Sequence, residues 1–148
     1  MAAPDGLAIA PIADGDIADV VALWRRCELT RPWNDPEADI AFARRGANST
    51  VLVGRRGAMV VATVMVGHDG HRGWFYYLAV DPGLQGGGLG RAITEAAERW
   101  LRERGVAKVN LMVRAENHKV RGFYQALGYG EQPRITLAKW LDGREPTP

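Results

Sequence analysis

Between an apolar run, WFYYLAV at 74–80, and a segment with helical periodicity, the chain sets Gly86, Gly87, Gly88 and Gly90 close together. A glycine inside regular structure costs roughly 0.5–1 kcal/mol relative to alanine, so the cluster must answer a geometric demand. The demand is local, because a buried strand has to turn straight into the start of a helix. Past the loop, Ile93, Ala96, Ala97, Trp100 and Leu101 fall on one helical face, and Arg102, Arg104 and Gly105 give C-terminal signals. A strand, glycine loop and helix in succession argue for an α/β fold and against a flexible linker.

Two familiar phosphate loops fail on this stretch. A P-loop needs a lysine followed by a hydroxyl residue after its second glycine, and neither is present. The dinucleotide pattern G-x-G-x-x-G also breaks, since its third glycine falls on Arg91 or on Ile93. What remains is Q-x-x-G-x-G from Gln85 to Gly90. Bare N–H groups at a helix N-terminus still favour an anion there, and a diphosphate is the natural guest. A turn that merely bends the chain is the alternative.

The rest of the chain fits the same class. LAIAPI at 7–12 reads as a strand, and Asp14 caps a helix with Ile17, Val20, Val21 and Trp24 on one side. Cys27 extends that stripe and reads as a small buried hydrophobe rather than a nucleophile. Asp35, Pro36 and Glu37 open a second helix running to about Gly46. TVLVGRRGAMVVATVMVG predicts a hairpin turning near Arg56–Gly57, and HDGHRG is a polar loop before the strand at 74–80. AKVNLMV is strand-like, Asn117 can cap a short helix ended by Gly128, and RITLAKWL predicts a last strand. The expected order is β-α-α-β-β-β-α-β-α-β, a mixed, mostly antiparallel central sheet with helices on both faces. Residues 1–148 read as one domain with a tail at about 142–148.

Composition narrows the partners. A net charge of +2 is too small to point to nucleic acid by itself and suits a small anionic ligand equally well. One cysteine excludes a disulfide framework and a cysteine metal cluster, so no metal is expected. The N-terminus lacks the basic and apolar regions of a signal peptide, and AMVVATVMVG is far shorter than the ~20 residues of a membrane helix. The expectation is a cytoplasmic protein with no membrane partner.

About thirty residues after the loop comes NHKVRGFYQALGY, beginning at Asn117. Together with LAVDPGLQGGGLGRA it resembles the GCN5-related N-acetyltransferases, the GNAT superfamily, and the likeness covers the element order of nearly the whole chain. The resemblance implies acetyl-CoA as co-substrate. It implies that main-chain amides of Gln85, Gly86, Gly87, Gly88, Leu89 and Gly90 wrap the pyrophosphate, with Arg91 opening the helix. It implies that Leu78, Ala79 and Val80 pair with the pantetheine arm along a strand that splays from its neighbour. A main-chain N–H near Leu78 or Ala79 would then polarise the thioester carbonyl. Asn117 matches a cofactor position, and Tyr124 matches the tyrosine that protonates the departing thiolate. Helix capping explains Asn117 as well, and core packing with Phe123 and Leu127 is the other reading of Tyr124.

The implied reaction is direct attack of a primary amine on acetyl-CoA through a tetrahedral intermediate. Relatives that acetylate protein N-termini carry a glutamate where this chain has Met112, so the base must lie elsewhere. Glu28, Asp35, Asp69, His68, His71, or a water held by Tyr76 or Tyr77, are the candidates. For the acceptor, the stretches LTRPWNDP and HDGHRG supply Trp33, Asn34, Asp35, Asp69 and His71. Acidic groups there suit a cationic amine, and Arg31 and Arg72 suit a carboxylate. A small-molecule amine, a peptide amine or a protein amine all stay open, as does a homodimer. The competing reading is an acyl-CoA-binding sensor of the same fold without turnover.

Overall fold

Alternating apolar residues make the sheet, and the helices bring apolar stripes to cover it. The computed structural model describes residues 6–146. Residues 1–5 and 147–148, which include the start of the N-terminal stretch and the end of the expected tail, lie outside the described residues. The chain divides into two units, Met1–Met112 and Val113–Pro148.

The first unit holds strands β1 (Leu7–Pro11), β2 (Ser49–Arg56), β3 (Met59–His68), β4 (Gly73–Val80) and β5 (Val109–Leu111) in that spatial order. Its helices are α1 (Ile17–Arg26), α2 (Pro36–Ala43) and α3 (Leu89–Arg102). Every neighbouring pair of strands is antiparallel except β4 and β5, which run parallel. The sheet is thus mixed and mostly antiparallel, as expected from the sequence.

Register decides which residues face which helix. Val51 pairs with Met65 and Val53 with Thr63, and this face packs with Val20, Val21, Leu23 and Trp24 of α1 and Ile40 and Ala43 of α2. The opposite face carries Val66 paired with Phe75, and α3 covers it. A Cβ on Gly73 would meet Leu101 Cδ1 at 2.5 Å, so the end of α3 seats where a glycine leaves β4 bare. Helices therefore cover both faces. The α3 residues Ile93, Ala96, Ala97, Trp100 and Leu101 are all buried, as their periodicity predicts.

Local chemistry sets the helix ends. Asp35 caps α2 by accepting from the N–H groups of Glu37 and Ala38, both at 3.1 Å, and Pro36 opens the helix. Asp14 does not cap α1 as expected. It lies in a 3-10 turn at Asp14–Asp16 and pairs with Arg44 at 2.7 Å, while Asp16 accepts from the Ala13 N–H and pairs with Arg55.

The second unit contains one helix, α4 (His118–Ala126), among its described residues. The last expected strand does not form: RITLAKWL adopts no strand among the described residues. Ile135, Leu137 and Leu141 are exposed instead. Alternation gives a segment strand propensity, but a strand exists only where a neighbouring backbone completes its ladder. No helix among the described residues is long and apolar enough to cross a membrane.

Candidate active site

At its C-terminal end β4 stays paired with β3 through Ala79 and Val80 but loses its β5 neighbour, so its other side becomes an open edge. Its pairing with β5 stops at Phe75 and Leu111, while β4 continues from Tyr76 to Val80. The two strands therefore splay, and peptide groups on that side of Tyr76–Val80 have no β5 partner. Toward β3 the ladder slips. Thr63 pairs with Ala79 but Met65 pairs with Tyr76, so β4 carries one extra residue, a bulge at Tyr77–Leu78.

The bulge contains a strained residue. Tyr77 has a left-handed φ of 51°, unusual for a residue with a bulky side chain. Its ring stacks on Trp24 with centroids 3.8 Å apart and planes 6° from parallel. Its hydroxyl donates to Asp39 Oδ2 at 2.7 Å, and its carbonyl accepts from Thr63 Oγ1 at 3.1 Å. Thr63 in turn accepts from Trp24 Nε1 at 2.8 Å, which satisfies an indole N–H that is fully buried. Burial and the Asp39 carboxylate push the Tyr77 phenol well above its usual range. Its hydroxyl hydrogen is therefore committed to Asp39.

From Val80 the chain enters the glycine loop through a braced turn. Asp81 Oδ1 accepts from the Gly83 N–H at 2.9 Å, and Asp81 Oδ2 pairs with Arg26 at 3.2 Å. Gly86 and Gly88 have φ of +87° and +85°, values that glycine adopts without strain. Gly88 is the N-cap of α3 and has no side chain with which to cap it. The first N–H groups of α3 have no intrahelical acceptor, and they open beside exposed Gln85, Gly86 and Gly87. Leu89, 1% exposed, anchors the helix start, and the Thr94 hydroxyl donates to the Gly90 carbonyl at 2.7 Å. Arg91 is only loosely engaged, 3.6 Å from Glu95 and 40% exposed.

The α1–α2 connection comes to the same end of β4. Cys27 Sγ lies 3.3 Å from the Val80 carbonyl, to which its S–H donates. Burial pushes this thiol up, so it is not a poised thiolate. The next residue, Glu28, is left-handed with φ of 57°. Arg31 Nη1 donates to the carbonyls of Glu28 and Thr30 at 2.8 and 2.9 Å, which fixes this turn. Trp33 and Asn34 are half-buried, and the Asn34 N–H donates to the Arg31 carbonyl at 3.0 Å. Asp35 uses its carboxylate to cap α2.

The other acceptor candidates lie elsewhere. Asp69 and His71 sit in the turn before β4, at the end of that strand opposite the glycine loop. At about 3.3 Å per residue, the eight residues of β4 put that turn on the order of 25 Å away. Asp69 accepts from the N–H groups of Arg72 and His71, which hold its carboxyl below the usual range. His68 belongs to the same end, its ring 6.4 Å from that of Trp100 in the last turns of α3. Among the described residues, no group of three or more His, Cys, Asp or Glu side chains is placed to hold a metal ion.

In the second unit, Asn117 Oδ1 accepts from the Val120 N–H at 3.2 Å and caps α4. Tyr124 is 7% exposed, with its ring edge-on to Phe123 and Tyr129 at 5.0 and 5.4 Å. Burial pushes its phenol up to about 12. Among the described residues no side-chain partner holds its hydroxyl, and the buried side-chain polar atom left without a partner there is Arg56 Nε, not the Tyr124 oxygen.

The residues missed at the sequence level are Trp24, Thr63 and Asp39, which grip the bulge through Tyr77. Asp39 lies in the first turn of α2, where an acidic residue reads simply as helix-favourable.

Comparison with known proteins places this geometry. The acetyltransferase (GNAT) family model matches residues 18–129. An acetyltransferase of Yersinia enterocolitica is 43% identical over 126 residues, covering 85% of this chain and 89% of the relative. The Escherichia coli ribosomal-protein-S18-alanine N-acetyltransferase superposes with a TM-score of 0.73 at 26% identity, over 93% of this chain and 87% of that one. The AAC(6')-Iy structure, solved with the bisubstrate analogue CoA-S-monomethyl-acetylneamine, superposes with a TM-score of 0.77 over 90% of this chain and 97% of that one. At 16% identity that second likeness is one of fold. The splayed strand, the uncapped glycine loop and these relatives converge, and the chain belongs to the GNAT family as an acyl-CoA-dependent acetyltransferase.

Proposed function

We propose that residues 1–148 act as one N-acetyltransferase domain of the reducing cytoplasm, moving the acetyl group of acetyl-CoA to a primary amine. The carrying observation is the union, at one end of β4, of an unpaired strand edge with a glycine-lined, uncapped helix N-terminus. The loop donates main-chain N–H groups from Gln85 to Arg91 to the diphosphate. Leu78, Ala79 and Val80 offer peptide groups to the pantetheine arm, and Asn117 adds a polar contact to the cofactor. The family match runs across both units, which supports the single-domain reading.

In the reaction the amine nitrogen attacks the thioester carbon, forming the new C–N bond. The carbonyl oxygen gathers negative charge in a tetrahedral intermediate, and the N–H of Leu78 or Ala79 stabilises it. The C–S bond then breaks and the electron pair leaves on sulfur. Tyr124 meets that charge with its hydroxyl. A phenol at about 12 against a thiol near ~8.5 makes complete proton transfer uphill, so the hydroxyl acts mainly through its hydrogen bond.

A base must take the proton that the amine loses, and Glu28 is the best-supported group. It follows Cys27, which touches Val80, and it holds a left-handed conformation that glycine would adopt without strain. Strained residues of this kind concentrate at functional sites. Glu28→Gly should raise stability by about 1 kcal/mol through relief of that strain while lowering kcat/KM on the order of a hundredfold. Thermal melts and steady-state kinetics check both signs, and a wild-type kcat/KM in Glu28→Gly removes it as the base.

The function itself is tested by following free thiol released from acetyl-CoA against aminoglycosides, amino-sugar phosphates and peptides with free N-termini. Thiol release that depends on one of these amines is expected. Acetyl-CoA binding without release on any of them would favour the sensor.

A further inference from the structure

The β4 bulge holds a tyrosine where glycine would be at ease, in a chain that has 18 glycines to draw on. Left-handed backbone costs an L-residue roughly 1–2 kcal/mol, and such strain persists only where the surroundings over-determine it. Here they do, through three different parts of one residue. The ring is stacked on Trp24, the hydroxyl is tied to Asp39 on α2, and the carbonyl is held by Thr63 on β3. Trp24 and Thr63 are both fully buried and joined by their own hydrogen bond, so the grip is anchored in the core rather than in solvent. The residue that follows, Leu78, is skipped in the pairing with β3.

We infer that Tyr77 is a positioning residue, which fixes the bulge so that the Leu78 peptide N–H points at the thioester carbonyl of bound acetyl-CoA. This rests on the proposed function above and adds what sets the donor's direction. A glycine at 77 could adopt the same φ but also many others, and the amide would then wander. Preorganised donors act by not having to reorganise as charge develops, and a misplacement of about 1 Å can cost on the order of a hundredfold in rate. Tyr77 touches none of the reacting atoms and works only through the backbone that it holds.

Carbonyl polarisation can be read without any acceptor, from the infrared band of the labelled thioester in [1-13C]acetyl-CoA bound to the full chain. Wild type should shift the band to lower frequency than in free acetyl-CoA. Tyr77→Gly should keep acetyl-CoA affinity within about threefold, since the glycine loop is untouched, yet return the band to its free position and broaden it. Tyr77→Phe, which keeps the stack but drops the Asp39 bond, should give an intermediate shift. A fully wild-type band in either folded variant overturns the positioning role while leaving the acetyltransferase reading intact. An unshifted band in bound wild type, or no binding of acetyl-CoA by wild type, overturns the underlying site and this inference with it. Should Tyr77→Gly fail to fold, Tyr77→Phe alone decides between these outcomes.

Discussion

Replacing Gly88 with valine is expected to weaken acetyl-CoA binding on the order of a hundredfold, equivalent to roughly 2.7 kcal/mol. Two effects add. Gly88 sits at φ +85°, a region where a β-branched residue is a genuine outlier. Holding valine there costs on the order of 1–3 kcal/mol, so the loop shifts and its donors scatter. Gly88 is also the N-cap of α3, and a branched side chain there crowds the first N–H groups of the helix. Gly88→Asn separates the two, because asparagine tolerates left-handed backbone. That variant should melt near the wild-type temperature yet still bind acetyl-CoA more weakly, since crowding remains while strain is mostly gone. Calorimetric titration with acetyl-CoA provides the readout. Wild-type affinity in a folded Gly88→Val protein would count against the loop as the diphosphate site.

That loop was the most legible part of the chain because its signals are local. Glycines with left-handed φ, an apolar strand before them and a helical stripe after them constrain a few adjacent peptides, and Gly86 and Gly88 take up that geometry. Asp35 and Pro36 were legible for the same reason. Long-range pairing was not. RITLAKWL has the alternation of a strand, yet alternation does not supply a neighbour, and Ile135 and Leu137 stay exposed. Asp69 and His71 looked like acceptor-site residues because they are polar and lie close to β4 in sequence. Nothing in their identity reveals that β4 carries them to the opposite end from the loop.

The bulge shows a deeper limit. Propensity would place glycine, not tyrosine or glutamate, at a left-handed position, so the sequence offers Glu28 and Tyr77 as polar candidates near the base but gives no sign of their backbone strain. Among the described residues they are the two non-glycine residues with positive φ. Tyr77 lies in β4, and Glu28 follows the cysteine that touches Val80 at that strand's end. Where local preference and the fold disagree, the disagreement marks a place held by tertiary contacts, and such places tend to be functional. Asp39 could not be paired with Tyr77 from sequence either, since 38 positions separate them.

Tyr124→Phe should lower kcat on the order of a hundredfold, the lower end for loss of one hydrogen-bond donor to developing negative charge, with acetyl-CoA affinity changed by less than about twofold. Phenylalanine keeps the edge-on ring contacts with Phe123 and Tyr129, so the second unit should fold as before. The lost group is a hydroxyl that makes no hydrogen bond among the described residues, so its removal leaves no protein partner stranded. A stability cost is therefore small, and a rate cost reports what the hydroxyl does for the leaving sulfur. The pH dependence gives an independent check. The hydroxyl donates only while protonated, and burial raises its pKa to about 12, which extends the active form upward. Wild-type kcat should accordingly climb as the acceptor amine loses its proton, with no fall assignable to Tyr124 below about pH 11. The Phe variant should follow the same curve at lower height. A wild-type kcat in Tyr124→Phe would remove this residue from the chemical step, and an alkaline fall near pH 10 that vanishes in the variant would show the phenol to be far less shielded than its 7% exposure implies.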